Sequence, residues 1–560
     1  MIFKIKSFTA EDYIFFPGCV YNGNRFKVLQ KIYPPMFLPS ESGIDIENTI
    51  TSSAFSLNKD GSGRISLNTG NLSVPCVGAF SDTNKTAILL FFIQEIDGKN
   101  LDIIYENGLF EITSPTNKDA EIPNKLLEFG CTDLKQFFRV FFENRKIMGL
   151  GCSHSKAPDW KKIWQIHEEK YNQMNWCEEL GYYGVDTLDP EYPEKDKKYP
   201  PWQPGWVGGA MSSYALLKLG SETTKTRAIK TLDFLFSTQT KAGFFKGSMD
   251  AYGNMFGDGM HNEGTENYHL IRKSADVLYF LFKHFELMPN IPEKFSNGTK
   301  KLADAFVSLW DTYGQLGQFV NDETGELIVG NSSSVGIAPA ALVSACKFFK
   351  DNKYLKVAEE TANYYYENFV KKGYTTGGPG EILQCPDSES AFGLLESFVE
   401  LYEATGNEKY LEMAKDMAHQ CSSWVVAYNY KFPQTSEFNR LGMKSVGTVI
   451  ANAQNMHSAP GICTLSGYSI QKLYNWTNDI LYKELIEDIS KNIQQFMSTD
   501  ERPVYANLYE REKRKTPPGF MNERVNLSDW EGQKGIGEVF YGSCWCEVTS
   551  MLTIADFNLV

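Results

Sequence analysis

Carboxylates set close to histidine, arginine and aromatic rings are the groups that act on polar, hydroxyl-rich molecules, and four stretches of this chain concentrate them. The first reads Asp258-Gly-Met-His261-Asn-Glu263-Gly-Thr-Glu266-Asn-Tyr268-His269. On a helix, Glu266 and His269 share a face at i, i+3. Two histidines and a carboxylate are a conceivable metal set, but the H-E-x-x-H spacing is absent. A capped helix start accounts for the same residues. The second stretch is Gln384-Cys385-Pro386-Asp387-Ser388-Glu389-Ser390-Ala391. Asp387 or Ser388 suits an N-cap after the proline. Glu389 then falls in the first turn, where the helix dipole favours a carboxylate. That dipole lowers the pKa of Asp387 and Glu389, which fits a base or an electrostatic stabiliser better than an acid.

The third stretch, Asn452-Ala-Gln454-Asn455-Met-His457, offers hydrogen-bond donors that read neutral hydroxyls, and equally the residues that make turns. The fourth is Met521-Asn-Glu523-Arg524-Val-Asn526-Leu-Ser-Asp529-Trp530-Glu531, followed by Glu538 and Tyr541. Breaking a glycosidic bond needs two facing carboxyl groups, one protonated to release the leaving oxygen and one to activate water or attack the sugar. The expected pair is Asp387 or Glu389 on one side and Asp529 or Glu531 on the other. Arg524 is expected on an anionic substrate group and Trp530 against a sugar face. Asp258, His261, Glu263, His457 and Tyr541 are expected to line the pocket, with Glu538 a further candidate acid. A polysaccharide lyase with Tyr268, His261, His457 or Tyr541 as base is the second reading. A binding protein without chemistry is the third, and the acid density of the last stretch argues against it.

Such residues need a scaffold that brings distant loops to one place. After residue 158 apolar residues recur at helical spacing. Helices are predicted near 159–174, 205–219, 222–238, 266–287, 294–315, 334–350, 352–370, 388–405, 407–428, 459–475, 478–499 and 539–557. Tight links such as Leu219-Gly-Ser-Glu and Lys350-Asp-Asn-Lys alternate with long ones over 175–204, 239–265, 316–333, 371–387, 429–458 and 500–538. Asp351-Asn-Lys-Tyr-Leu, Gly406-Asn-Glu-Lys-Tyr-Leu and Asn478-Asp-Ile-Leu-Tyr repeat at the tight links. Six helical hairpins with every long loop on one face predict a mainly α, closed (α/α)6 toroid over residues 146–560; an open solenoid is the rival.

Before residue 145 the pattern is short and strand-like, at Val74 to Phe80, Thr86 to Ile96 and Leu101 to Thr113, with turn residues between. This predicts an N-terminal β-sandwich over 1–145, with Leu134 to Asn144 as a last strand or the start of a linker.

The whole chain has 560 residues, 42% hydrophobic and 22% charged, an ordinary globular composition. Its net charge of −14 argues against nucleic acid as a partner. No apolar run approaches the roughly 20 residues that span a membrane. Met1-Ile-Phe-Lys-Ile-Lys has no apolar leader segment, so the chain reads as cytoplasmic as it stands, and as periplasmic or secreted if a leader was removed. The eleven cysteines are scattered and read as reduced thiols. Cys544-Trp-Cys546 is one close pair without a second, so no zinc and no other cofactor is expected. The expected partner is an oligosaccharide or polysaccharide fragment, with self-association possible.

The hairpins, with turns such as Leu401-Tyr-Glu-Ala-Thr-Gly-Asn-Glu-Lys-Tyr-Leu, resemble the six-hairpin glycosidase superfamily over roughly 155–557. The resemblance implies an active site on the loop face with Asp or Glu as acid and base. Two families within it look similar. Family 127 arabinofuranosidases use a cysteine nucleophile on zinc. Their Glu-x-Cys and Cys-Cys pairs are expected near Asp387–Ala391 and near the later cysteines, where this sequence has Ser388-Glu389-Ser390 and Cys544-Trp-Cys546. Family 154 β-glucuronidases are similar in size and domain order, which implies a uronic acid as the sugar.

Overall fold

A computed structural model describes residues 12–16, 19–21, 76–92, 102–106, 109–113, 124–150, 152–153, 155–156, 159–185, 198–205, 208–259, 264–379, 386–452, 457–507, 513–526, 535–542 and 544–560. Seven strands open it: β1 (Tyr13–Phe16), β2 (Cys19–Tyr21), β3 (Cys76–Ser81), β4 (Thr86–Phe92), β5 (Asp102–Glu106), β6 (Leu109–Thr113) and β7 (Asn124–Gly130). Five form an antiparallel sheet in the order β2-β1-β3-β4-β7, with Ile14 opposite Ala79, Ala79 opposite Ile88 and Ile88 opposite Glu128. β5 and β6 make a separate hairpin.

Leu134–Asn144, expected as strand or linker, is helix α1, capped by Asp133 through the Gln136 amide. Its buried residues Leu134, Phe137, Phe138, Phe141 and Phe142 recur at three and four, a helical period that the aromatic content disguises as strand. Phe137 and Phe141 meet Phe15 edge-on at 5.2 and 4.9 Å between ring centroids. One face of the five-stranded sheet is thus packed against α1. Phe142 turns the other way, onto His419 at 5.1 Å and Tyr482 at 5.3 Å, and ties α1 to the helices that follow.

Those helices are α2 (Trp160–Lys170), α3 (Gly209–Leu219), α4 (Glu222–Ser237), α5 (Ile271–Leu287), α6 (Glu293–Tyr313), α7 (Ala338–Phe349), α8 (Asn352–Asn368), α9 (Ser388–Thr405), α10 (Glu408–Trp424), α11 (Tyr468–Thr477), α12 (Ile480–Ile493) and α13 (Trp545–Asp556). α3, α5, α7, α9 and α11 pack each on the next, and α13 packs back on α3. The last join, between α11 and α13, runs through Thr549 Oγ1 to Ile462 O at 2.8 Å and Ser466 Oγ to Asp556 Oδ2 at 2.7 Å. The ring is closed, which excludes the open solenoid. The partners α4, α6, α8, α10 and α12 stand outside their predecessors. The sixth outer helix, α2, pairs with α13 from the far end of the chain.

Burial follows this order. α13 is buried along Trp545–Ala555 and α5 along Ile271–Phe282, as inner helices enclosed on all sides require. The outer helices are apolar on one face only.

The tight turns explain the sequence echo. Lys350, Gly406 and Asn478 take left-handed conformations, with φ of 56°, 65° and 56°. In each case the next residue is an N-cap: Asp351 accepts from Lys353 N, Asn407 from Lys409 N and Asp479 from Leu481 N. These turns share one end of the ring. The N-termini of the inner helices and the described parts of the long loops share the other. Among the described residues no helix is long and apolar enough to cross a membrane.

Candidate active site

Glu389, in the first turn of α9, is only 7% exposed. A carboxylate buried this far needs a counter-charge, and Arg272 in the first turn of α5 supplies it by direct contact of Nη1 with Glu389 Oε2. The same guanidinium donates to Gly378 O at 3.1 Å and to Thr464 Oγ1 at 2.9 Å, and its Nε lies 3.5 Å from Asp276. It thereby joins α5, the loop before α9 and the loop before α11. Gly378 leaves the space: a Cβ there would lie 2.3 Å from Asp387 Oδ1 and 2.8 Å from Glu389 Cβ.

Asp387 is the N-cap. It accepts from Ser390 N at 2.7 Å, Ser390 Oγ at 2.9 Å and Gly378 N at 3.0 Å. Burial pushes its carboxyl up to about 6, against those hydrogen bonds and the charge of Arg272. The lowering expected from the helix dipole is thus outweighed by desolvation. With its oxygens taken by the cap, Asp387 orders the loop beside Glu389.

Asp258 is buried against Lys273, the neighbour of Arg272, and accepts from Leu270 N at 2.8 Å. His269 Nδ1 lies 3.1 Å away, and its Nε2 lies 2.7 Å from Ser274 Oγ. Burial opposes the charged form of Asp258, but Lys273 and His269 prevail and hold it at about 2. It therefore anchors the second long loop as a permanent anion.

Backbone bonds lace the remaining loops together. Ser388 N donates to Ala451 O at 2.9 Å and Ala451 N to His457 O at 2.8 Å. Ser458 and Val525 exchange bonds of 3.2 and 2.6 Å. This chain of contacts brings Asp387, Glu389, His457 and Arg524 to one face. His457 is fully buried. That burial, helped by the charge of Arg524, pulls its imidazole down to about 3, so it is neutral at physiological pH.

The other expected residues are placed differently. Tyr541 sets its ring on Phe520 at 5.2 Å, and Glu538 contacts Lys513. Tyr268 pairs with Asn321 in a small sheet. Cys546 is buried and its thiol points to Glu523 O at 3.3 Å, while Cys544 precedes the first turn of α13. His261, Glu263, Asp529, Trp530 and Glu531 lie outside the described residues, as do Gln454 and Asn455.

Arg272 and Lys273 are what the sequence reading missed. The available signal was two cations opening an otherwise apolar helix. The helix dipole disfavours cations at an N-terminus, so each needs a specific anion, here Glu389 and Asp258.

Residues 333–499 match the family profile described as the β-L-arabinofuranosidase, GH127 catalytic domain. No curated protein matches the chain. Among solved structures, cellobiose 2-epimerase from Bacillus thermoamylovorans is 13% identical, with a TM-score of 0.46, covering 71% of this chain and 99% of its own. A glycoside hydrolase family 76 mannosidase from Bacteroides thetaiotaomicron is 13% identical, with a TM-score of 0.45, covering 72% and 98%.

The resemblance to family 127 implies zinc near Glu389. The residues present do not fit it. Ala391 stands where the Glu-x-Cys pattern needs a thiol, and the Glu389 carboxylate is occupied by a guanidinium. A dication brought to roughly 4 Å from that guanidinium meets about 8 kcal/mol of repulsion at an effective dielectric of about 20. Among the described residues no group of three or more His, Cys, Asp and Glu is arranged to hold a metal.

Proposed function

We propose that this chain is a glycoside hydrolase that releases a terminal sugar from an oligosaccharide or polysaccharide fragment. One observation carries the reading: Glu389, a buried carboxylate at the loop end of a closed helical ring, lies inside the stretch that matches a glycosidase catalytic domain. Hydrolysis asks one carboxyl to protonate the glycosidic oxygen as its bond to the anomeric carbon breaks. The other carboxylate takes a proton from the incoming water, or first bonds to the sugar. The sugar gains a hydroxyl and the leaving group gains a hydrogen. Glu389 is proposed as the charged member, with Asp529 or Glu531 as the proton donor opposite. His457, neutral and buried, is proposed as a polar wall of the pocket.

The description of the matched domain favours a β-L-arabinofuranose as the sugar. The second reading, a uronic acid as in a β-glucuronidase, is favoured by Arg524 on the same face, because a guanidinium binds a carboxylate in bidentate fashion. The test offers an aryl β-L-arabinofuranoside and an aryl β-glucuronide separately, and follows both the freed aryl alcohol and new ultraviolet absorbance in the sugar product. Hydrolysis of one of them without new absorbance is expected, with Glu389→Gln slower by roughly 10²–10⁴-fold. A uronic acid specificity requires Arg524→Met to raise KM for the glucuronide alone. Product absorbance from a conjugated double bond means a lyase, and no turnover of any glycoside refutes the hydrolase.

A further inference from the structure

We infer that a guanidinium stands where the matched family implies a metal: Arg272 is the positioning residue that holds Glu389 in place as a charged group. The inference rests on the glycosidase reading for its catalytic consequence, but not for its structural half.

Three observations carry it. Arg272 is 3% exposed and sits at the start of an inner helix, a position where an unpartnered cation is unfavourable twice over, through burial and through the dipole. Every direction of its guanidinium is engaged: Glu389, Gly378 O, Thr464 Oγ1 and Asp276 surround it. Those partners come from α5 itself, from the loop before α9 with the first turn of α9, and from the loop before α11, so the guanidinium bridges three segments as a metal would. Among the described residues, the other charged groups that face the pair are Asp276 on the same helix as Arg272 and Asp387 at the cap of α9.

A guanidinium and a metal do different things here. Zinc is held by thiolates, imidazoles or carboxylates and, at an open position, turns a bound water or thiolate into the nucleophile. A guanidinium has no open coordination position. It fixes the direction of a carboxylate through planar donors and favours its charged form. A carboxylate held this way acts as base or nucleophile and is the wrong group to protonate a leaving oxygen.

Two measurements test this. The full-length protein, dialysed against excess zinc and then against metal-free buffer, is assayed for metal by elemental analysis. Far less than one zinc per chain is expected. Roughly one zinc per chain, lost in Glu389→Gln, overturns the inference whether or not any glycoside is turned over.

The second uses Arg272→Gln, Arg272→Lys and Glu389→Gln on two aryl glycosides, one with a poor and one with an activated leaving group. Glu389→Gln and Arg272→Gln are expected to lose kcat by a similar factor, roughly 10²–10⁴, on both substrates, with Arg272→Lys between them and wild type. A Glu389→Gln variant that still turns over the activated substrate near normally makes Glu389 the acid and refutes the assignment. Arg272 variants with lowered thermal stability but normal kcat reduce Arg272 to packing. If Arg272→Gln does not fold, the zinc measurement on the wild-type chain still decides. If the wild type hydrolyses no glycoside, the functional reading falls while the metal measurement stands.

Discussion

Replacing Asp387 by Asn removes a charge while keeping one acceptor oxygen at the cap of α9, and the pH dependence of the loss reports how Asp387 is held. In the folded chain its carboxyl sits at about 6, above the ordinary value of 3.8. Between those two values the folded state binds a proton that the unfolded state has released. Stability therefore falls as pH rises through this window. The span of about two units corresponds to about 3 kcal/mol at 1.36 kcal/mol per unit. Asn carries no such titration. It does lose acceptor capacity, because its amide nitrogen faces the donors Gly378 N and Ser390 Oγ, which costs about 1–3 kcal/mol at every pH. Wild type should exceed Asp387→Asn most at pH 4, and the gap should shrink by about 3 kcal/mol by pH 7. Urea denaturation of both proteins at half-unit steps from pH 4 to 8 measures that difference, and subtraction removes every group they share. A gap that stays flat, or widens with pH, refutes the account of Asp387 as a desolvated cap.

Asp258→Asn removes the carboxylate that Lys273 and His269 contact, and should destabilise the chain by about 3–5 kcal/mol in urea denaturation at pH 7. Asp258 is held at about 2, below its unfolded 3.8, so its contribution is present above 3.8 and lost as pH falls through about 2; wild type should lose stability faster than the variant over that acid range. Phe142→Ala removes the ring that α1 sets on His419 and Tyr482, and should cost about 3–5 kcal/mol in the same assay. A loss below about 1 kcal/mol means this contact does not hold the sheet and its helix to the ring.

The sequence by itself determined what is set within a few residues. Helical period marked all twelve helices of the ring. The turn chemistry of Lys350-Asp351, Gly406-Asn407 and Asn478-Asp479 marked three of the hairpins, because a left-handed residue followed by a side-chain cap is complete within one turn. The same period was present in Leu134–Asn144, but its density of phenylalanine imitated a strand. Asp387 was legible as a cap; its rise to about 6 was not, since desolvation depends on what the rest of the chain packs around it. The tertiary structure alone decided the site. α2 completes the ring by pairing with α13, and only that closed ring carries α5 beside α9 and sets Arg272 against a carboxylate 117 positions away. Local interactions end at four residues on a helix, whereas the partner of a buried charge is chosen by which helix ends converge, and no spacing along the chain records that.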